Sequence, residues 1–130
     1  MTRRVLFPIL FLLIAVVGGC ASAVSGTSGT NRNVLTREEI ATVRVANVYE
    51  AVERLRPRWL QIRAPRSLGG QTEIVVFLNR AYIGGPEMLR QFEPANVAQL
   101  RYLDGSTAMA TLAGLGGKVV EGAIVIEVAS

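Results

Sequence analysis

The sequence predicts one α+β domain over residues 36–130, with a small mixed β-sheet of about four strands and two or three short helices packed on it. Two runs rich in β-branched residues, 73–78 and 123–128, are typical of strands that are buried on both faces. Residues 97–103 alternate apolar and polar side chains, which is the pattern of a half-buried strand. Helix-capping residues and turn glycines separate these runs, so helices and strands are expected in one domain.

Three polar residues predict where the helices begin. Thr36 and Asn47 are each followed three residues later by Glu, which is the spacing of a capping box. The second of these helices ends before Pro57, because the residue that precedes a proline disfavours helical geometry. Asp104 is placed to cap a third helix over residues 106–112.

The remaining segments give weaker patterns. Residues 59–63 alternate and predict a short strand or an extended crossing segment. Asn79 and Arg80 predict a tight turn that returns the chain through residues 81–83, and a short helix follows over residues 87–92. Because Arg accepts the positive φ of a two-residue hairpin turn poorly, a bulged or three-residue turn is expected there.

The N-terminal segment has the organisation of an export signal. Arg3 and Arg4 give a positive start, and residues 5–17 form an apolar stretch that is too short to span a bilayer. The sequence Val17-Gly18-Gly19-Cys20 then resembles the lipobox of bacterial lipoproteins, whose cysteine is acylated and becomes the new N-terminus. We therefore predict a lipoprotein signal peptide over residues 1–19 and lipidation of Cys20.

Residues 20–35 are rich in Ser, Gly, Thr and Asn and predict a flexible tether. Ala21, rather than an acidic residue, follows Cys20, and by resemblance to enteric sorting this implies the outer membrane. The expected location is thus the cell envelope, lipid-anchored, in the outer membrane and facing the periplasm. An uncleaved membrane anchor and ordinary soluble secretion are the two alternatives.

Four segments of the domain follow one another with apolar patterns and turn residues between them: Asn47–Leu55, Ile74–Gly84, Val97–Leu103 and Gly122–Val128. In this order they resemble the plug domain of TonB-dependent outer-membrane receptors. The chain departs from that pattern by carrying Asn79-Arg80 where Asp-Gly is common, and its domain is too short to add a membrane barrel. The resemblance implies a plug-like fold without transport, and it assigns no ligand-binding residue.

The residue types needed for catalysis are sparse. The sequence has no histidine and one cysteine, so serines such as Ser67 and Ser106 lack the commonest general base. Residues 114–118 resemble a phosphate-binding loop only in part, because Leu112 stands where that loop needs a glycine and Val119 where it needs Ser or Thr. Glu50 and Glu53 precede arginines at ordinary helix ion-pair spacing. We predict that the protein is not an enzyme and has no cofactor and no metal site.

One cationic cluster stands out, with five arginines in 13 residues and Trp59 between them. Its members are Arg54, Arg56, Arg58, Arg63 and Arg66. One interpretation is contact with an anionic surface, namely lipid headgroups, lipopolysaccharide or an acidic partner. The other is a solvated loop edge with Trp59 turned into the core.

The overall charge argues against nucleic acid as a partner. Signal removal leaves 12 basic and 10 acidic residues, a net charge of +2. Two function hypotheses follow. The first is a non-enzymatic envelope lipoprotein whose plug-like domain acts as an interaction module, with an envelope protein partner in an outer-membrane transport or assembly system. The second is a small periplasmic ligand-binding lipoprotein that uses a cleft at the Gly84-Gly85 helix start, where backbone amides favour an anion.

Overall fold

Two apolar strands form the centre of the fold and pair with each other in parallel. A computed structural model describes residues 31–63 and 72–130. The predicted signal peptide, Cys20, the first part of the tether, Arg66 and Ser67 lie outside the described residues. The predicted α+β class with a mixed sheet is confirmed, and the described part of the chain has five strands where about four were expected.

The regular elements occur in the following order. The strands and α-helices are β1 (Val34–Thr36), α1 (Arg37–Ala41), α2 (Val48–Leu55), β2 (Glu73–Leu78), β3 (Ala81–Gly84), β4 (Val97–Asp104), α3 (Gly105–Thr111) and β5 (Val120–Val128). Three 3₁₀ helices connect them: Pro57–Leu60, Pro86–Gln91 and Pro94–Asn96. The strand order in the sheet is β1-β4-β5-β2-β3, and every neighbouring pair except β2 with β5 is antiparallel.

The strand directions place several strand ends together at one end of the sheet. Asp104, the last residue of β4, pairs with Gly122 near the start of β5, and Glu73, the first residue of β2, pairs with Val120. The start of β1 lies at this end too, because the Asn33 carbonyl accepts from the Tyr102 amide. The β2–β3 turn lies at the opposite end.

The side chains of β2 and β5 point alternately to the two faces of the sheet and form two apolar layers. The larger layer has 13 buried residues, namely Leu35, Ile40, Val48, Ala51, Val52, Trp59, Ile74, Val76, Leu89, Val97, Leu100, Ile124 and Ile126. The smaller layer has seven, namely Val75, Phe77, Ala108, Leu115, Val120, Ala123 and Val125. Because both faces are covered, the two central strands carry continuous apolar runs rather than an alternating pattern.

The predicted helix starts are confirmed. Thr36 Oγ1 accepts from the Glu39 amide at 3.3 Å, and Glu39 Oε2 accepts from the Thr36 amide at 3.1 Å, which completes the capping box. Asn47 Oδ1 accepts from the Glu50 amide at 3.0 Å. Asp104 caps α3, which begins at Gly105. In each case one side-chain oxygen satisfies an amide that the helix itself cannot bond.

Residues 59–63 do not form the strand that their alternation suggests. The chain turns as a 3₁₀ helix over Pro57–Leu60, and only the residues after it are extended. Pro57 occupies the first turn, where its fixed φ suits a helix start and its missing N–H is not needed. Trp59 is buried on the larger layer, which overrides the local alternation.

Two other local expectations are settled by the structure. The sequence pattern assigns Val34 and Leu35 to the tether, whereas both lie in β1 and Leu35 is fully buried. At the hairpin turn, Asn79 takes a φ of 55° while Arg80 does not enter the positive-φ region. Because Leu78 pairs with Ala81, the turn has two residues, and the expected three-residue or bulged turn is not formed. The register shift lies further along the strands, between Val76 and Phe77, where β3 has an extra residue.

Candidate functional site

A cleft of about 1000 Å³ opens at the end of the sheet where β4 ends and β1, β2 and β5 begin. One side is lined by the 3₁₀ helix Pro57–Leu60 and by Gln61 and Arg63. The other side is lined by the start of α3 and by residues 119–121. Arg32 and Asn33, which are among the first residues that the structure describes, also line it. The cleft therefore lies where the chain enters the domain.

An aromatic pair supports the cleft. The rings of Trp59 and Tyr102 stack with their centroids 5.6 Å apart and an interplanar angle of 20°. The Trp59 ring is buried, and its Nε1 donates to the Arg32 carbonyl at 3.0 Å, so the aromatic pair also holds the start of the described chain. Trp59 thus has the core position that one of the two sequence interpretations gave it.

The Tyr102 hydroxyl lies over Gly122, where an added Cβ would clash with it. Burial raises the pKa of Tyr102 above its ordinary value, and the negative charges of Glu121 and Asp104 act in the same direction. Arg63 and Arg58 act in the opposite direction, because their positive charges favour the phenolate. The phenol therefore stays protonated at neutral pH and can donate a hydrogen bond into the cleft.

Arg56, in the middle of the predicted cationic cluster, makes structural contacts within the domain. Its Nη2 lies 2.9 Å from Glu39 Oε1, and its guanidinium also donates to the carbonyls of Val34 and Leu55 at 3.2 and 3.0 Å. Only 14% of its side chain is exposed. This arginine ties α1 and β1 to the end of α2. Sequence spacing suggested a helix ion pair with Glu53 instead, and that pair is absent among the described residues.

The other members of the cationic cluster separate into two groups. Arg54 is exposed on α2, donates to the Arg44 carbonyl at 3.0 Å and does not line the cleft. Arg58 and Arg63 are exposed and line the cleft together with Arg32. Within residues 31–63 and 72–130, none of these three cleft arginines forms an ion pair. The fifth member, Arg66, lies outside the described residues.

Two carboxylates also line the cleft. Asp104 is held by Ser106 Oγ and by the amide and hydroxyl of Thr107, and these hydrogen bonds keep the pKa of its carboxyl well below the usual range. Its charge is therefore engaged in capping α3. Glu121, which is half-buried, is the second. The cleft keeps a net positive character because four arginines line it, of which Arg56 alone is paired with a carboxylate, that of Glu39, among the described residues. Of the carboxylates that the structure describes, only these two line the cleft, and that of Asp104 is already hydrogen-bonded to Ser106 and Thr107.

Large apolar side chains are exposed beside these charges. Met109 and Val119 line the cleft and are 48% and 55% exposed, and Ile62, next to Arg63, is 57% exposed. In the described part of the chain only five large apolar side chains are exposed, and two of them, Met109 and Val119, line this cleft. Surface apolar residues are ordinary when they are scattered, so their concentration beside arginines is the informative feature.

The second function hypothesis placed an anion at the Gly84-Gly85 helix start, and that position is occupied by the chain itself. The Gly85 amide donates to Glu87 Oε1 at 3.1 Å. The helix that begins there is a 3₁₀ helix of six residues. The ligand hypothesis therefore loses this position, and we consider the arginine-lined cleft for it instead.

The other residues considered for chemistry have structural partners. The Glu50 carboxylate accepts from the Ala46 amide at 3.1 Å instead of facing Arg54. Lys118 Nζ lies 3.1 Å from Glu73 Oε1, and this hydrogen bond raises the pKa of Lys118.

Sequence reasoning did not find several residues of the cleft, namely Arg32, Tyr102, Met109 and Val119. They come from four separate segments that meet only through the sheet pairing. Met109 could have been noticed from the sequence, because it is the one large apolar side chain of α3. In the structure it is 48% exposed.

Comparison with known proteins adds no relatives. No protein-family model, curated protein or solved structure matches the chain significantly. The plug-domain resemblance therefore remains a prediction. Within the two described ranges, no helix has the length and apolar character that crossing a bilayer requires.

Proposed function

We propose that this chain is a non-enzymatic lipoprotein of the cell envelope, anchored through Cys20, whose plug-like domain is an interaction module of an outer-membrane transport or assembly system. The observation that carries the proposal is the lipobox-like sequence Val17-Gly18-Gly19-Cys20, which follows a positive start and a 13-residue apolar stretch. Such a signal delivers a thiol to the membrane surface, where acylation holds it.

The position of the cleft supports an interaction role. Arg32 lies 12 residues after Cys20 and lines the cleft, so a lipid on Cys20 would keep this charged surface close to the envelope membrane. The proposed orientation is the outer membrane with the domain in the periplasm. This orientation rests on Ala21, which follows the lipidated cysteine in place of an acidic residue.

The test is the mass and location of the protein in a bacterial host. The wild-type chain should lose residues 1–19, gain acyl chains on Cys20 and fractionate with the outer membrane. Cys20→Ser should remain at the mass of the unprocessed chain, because the peptidase acts only after the thiol is acylated. Ser22→Ala is the matched control, since it changes a neighbouring residue and leaves the lipobox intact. A wild-type protein that keeps its first 19 residues without acylation would refute the proposal.

The partner is tested by purifying the lipidated protein from envelope membranes under mild detergent. An integral outer-membrane or assembly protein that co-purifies in fixed stoichiometry, and crosslinks to the domain in intact cells, supports the interaction module. The absence of such a complex contradicts that part of the proposal.

A second function is favoured by the cleft itself. The cleft has a volume of about 1000 Å³, and the Tyr102 hydroxyl and three arginines that form no ion pair within the described ranges line it. These features suit a small anionic ligand. Native mass spectrometry of the purified protein tests this function. A bound small anion that is lost in Arg58→Gln, with no protein partner present, would favour the ligand-binding lipoprotein.

A further inference from the structure

We propose that the surface around the cleft docks onto an anionic phospholipid bilayer. This docking face consists of Arg32, Arg58, Arg63, Met109 and Val119. The inference rests on the proposed function in one respect, because the lipid on Cys20 supplies the anchor beside which the face works. It goes beyond that function by assigning the membrane itself as the occupant of the face.

The chemistry of the face matches a bilayer surface. An arginine guanidinium offers planar paired donors that fit phosphate oxygens. Exposed Met and Val side chains gain free energy by leaving water for the boundary between headgroups and acyl chains. Neither feature alone identifies a membrane. Their combination within one cleft distinguishes this face from the rest of the described surface.

Nearby negative charges limit how strongly the docking face attracts anionic headgroups. Glu121 faces the arginines, and Asp104 is held by its bonds to Ser106 and Thr107. Lys118 is engaged with Glu73. The remaining attraction is modest and requires anionic headgroups. Reversible docking of this kind works as a second contact beside a covalent lipid, which by itself confines the domain to the surface without orienting it.

The chain length allows the face to reach the bilayer. From residue 20 to residue 31 the backbone can span at most about 40 Å, which sets the largest separation between the lipid and the first described residue. Arg32 then lies on the docking face itself. The other end of β5, at Val128, lies about 25 to 30 Å away along the strand. A docked domain would therefore hold Val119 at the membrane and Val128 in water.

The experiment uses the lipidated protein with one engineered thiol. Val119→Cys and Val128→Cys form a matched pair, because both valines are exposed and they lie just before and at the end of β5. Each variant is labelled with a polarity-sensitive fluorophore and reconstituted into phosphatidylcholine vesicles, with or without one quarter phosphatidylglycerol. Emission shift and acrylamide quenching report whether the label is shielded from water.

The expected result is shielding of the label at position 119 in anionic vesicles and exposure in neutral vesicles. The label at position 128 should stay exposed in both. The double variant Arg58→Gln with Arg63→Gln should lower the ratio of shielded to exposed label at position 119. We expect about a fivefold decrease for each arginine removed, since that factor corresponds to the binding free energy that one basic residue contributes at an anionic membrane surface. Arg54→Gln with Arg80→Gln removes the same charge away from the face and should leave the ratio unchanged.

Several results would overturn the docking face. Equal shielding at positions 119 and 128 would show unspecific adsorption. Shielding that sodium phosphate abolishes, but sodium chloride of the same ionic strength does not, would indicate a small-anion pocket. Exposure of position 119 in anionic vesicles, followed by shielding when an outer-membrane protein is added, would assign the face to a protein partner.

The failure of the anchor can be told apart from the failure of the face. The same labelled pair is prepared as residues 20–130 with Cys20→Ser, so that each chain carries one thiol, no acyl group and no apolar signal segment, and is mixed with excess anionic vesicles. A correct docking face still shields position 119 under these conditions, although less vesicle-bound protein is recovered. If the proposed lipidation is wrong, the wild-type protein will carry no acyl mass on Cys20, whereas the labels on the Cys20→Ser chains will still report the face.

Discussion

The two apolar layers of this domain are built on the same strands but differ in their cover. The larger layer is closed by α2 and by the 3₁₀ helices, which contribute Val48, Val52, Trp59 and Leu89. The smaller layer is closed by α3, which buries only Ala108, and by Leu115 in the following loop. Because β2 and β5 supply residues to both layers, the difference arises from the covering segments.

This difference teaches where the stability of the domain is concentrated. The larger layer distributes its volume over several large aliphatic side chains, so no single one dominates it. The smaller layer has one large ring, Phe77, which is fully buried and packs edge to face against Tyr82 with centroids 5.7 Å apart. The smaller layer should therefore depend on this one ring more than the larger layer depends on any one of its side chains.

The largest expected effect is that of Phe77→Ala. Removing this ring should lower the free energy of unfolding by about 3 to 5 kcal/mol, because the transfer free energy is lost and a cavity remains. Urea unfolding followed by the fluorescence of Trp59 measures the loss. Phe77→Leu is the control, since it keeps most of the volume and should lose much less. A change below about 1 kcal/mol for Phe77→Ala would contradict the view that this ring holds the smaller layer.

A smaller effect compares the two layers directly with neighbouring residues. Val75 and Val76 are both fully buried in β2, and they point to the smaller and the larger layer respectively. Each substitution by Ala removes the same atoms, which corresponds to about 1.5 to 2 kcal/mol of lost burial before any cavity cost. The short helix α3 can shift to fill the cavity left by Val75→Ala more easily than α2 and the 3₁₀ helices can fill the cavity left by Val76→Ala.

Val76→Ala should therefore lower the free energy of unfolding more than Val75→Ala does. Parallel urea titrations of the two variants, with the slopes compared, give the difference. Equal losses would show that both covers are equally rigid, and a reversed order would show that α3 is the more rigid cover.

Much of the fold could be predicted because the signals are local. The apolar runs of β2 and β5, the alternation of β4 and the capping oxygens of Thr36, Asn47 and Asp104 each act within a few residues. The short strand β1 could not be predicted, because three residues carry no period and its partner β4 lies more than 60 residues further along the chain. The 3₁₀ turn around Trp59 depends on tertiary burial.

Only part of the candidate site could be predicted. The density of arginines indicated the right stretch of sequence, yet it did not separate Arg56 from Arg58 and Arg63. All three line the cleft, but only Arg56 forms an ion pair among the described residues. That separation depends on where α1 lies relative to the end of α2. The apolar part of the docking face comes from α3 and the start of β5, so its position beside the arginines depends on the sheet pairing.

The smallest effect tests the cover of the larger layer at its helix start. Asn47 Oδ1 accepts from the Glu50 amide, and the Val48 amide beside it donates to the Phe92 carbonyl at 3.0 Å, so the cap fixes α2 against the end of a 3₁₀ helix. Asn47→Ala should lower the free energy of unfolding by about 1 kcal/mol, and Asn47→Asp should retain it because Asp caps equally well. Thermal unfolding of both variants is the measurement. If Asn47→Ala unfolds like the wild type, the larger layer holds α2 in place through packing alone. The covers of the two layers would then differ in packing strength even more than their buried residues indicate.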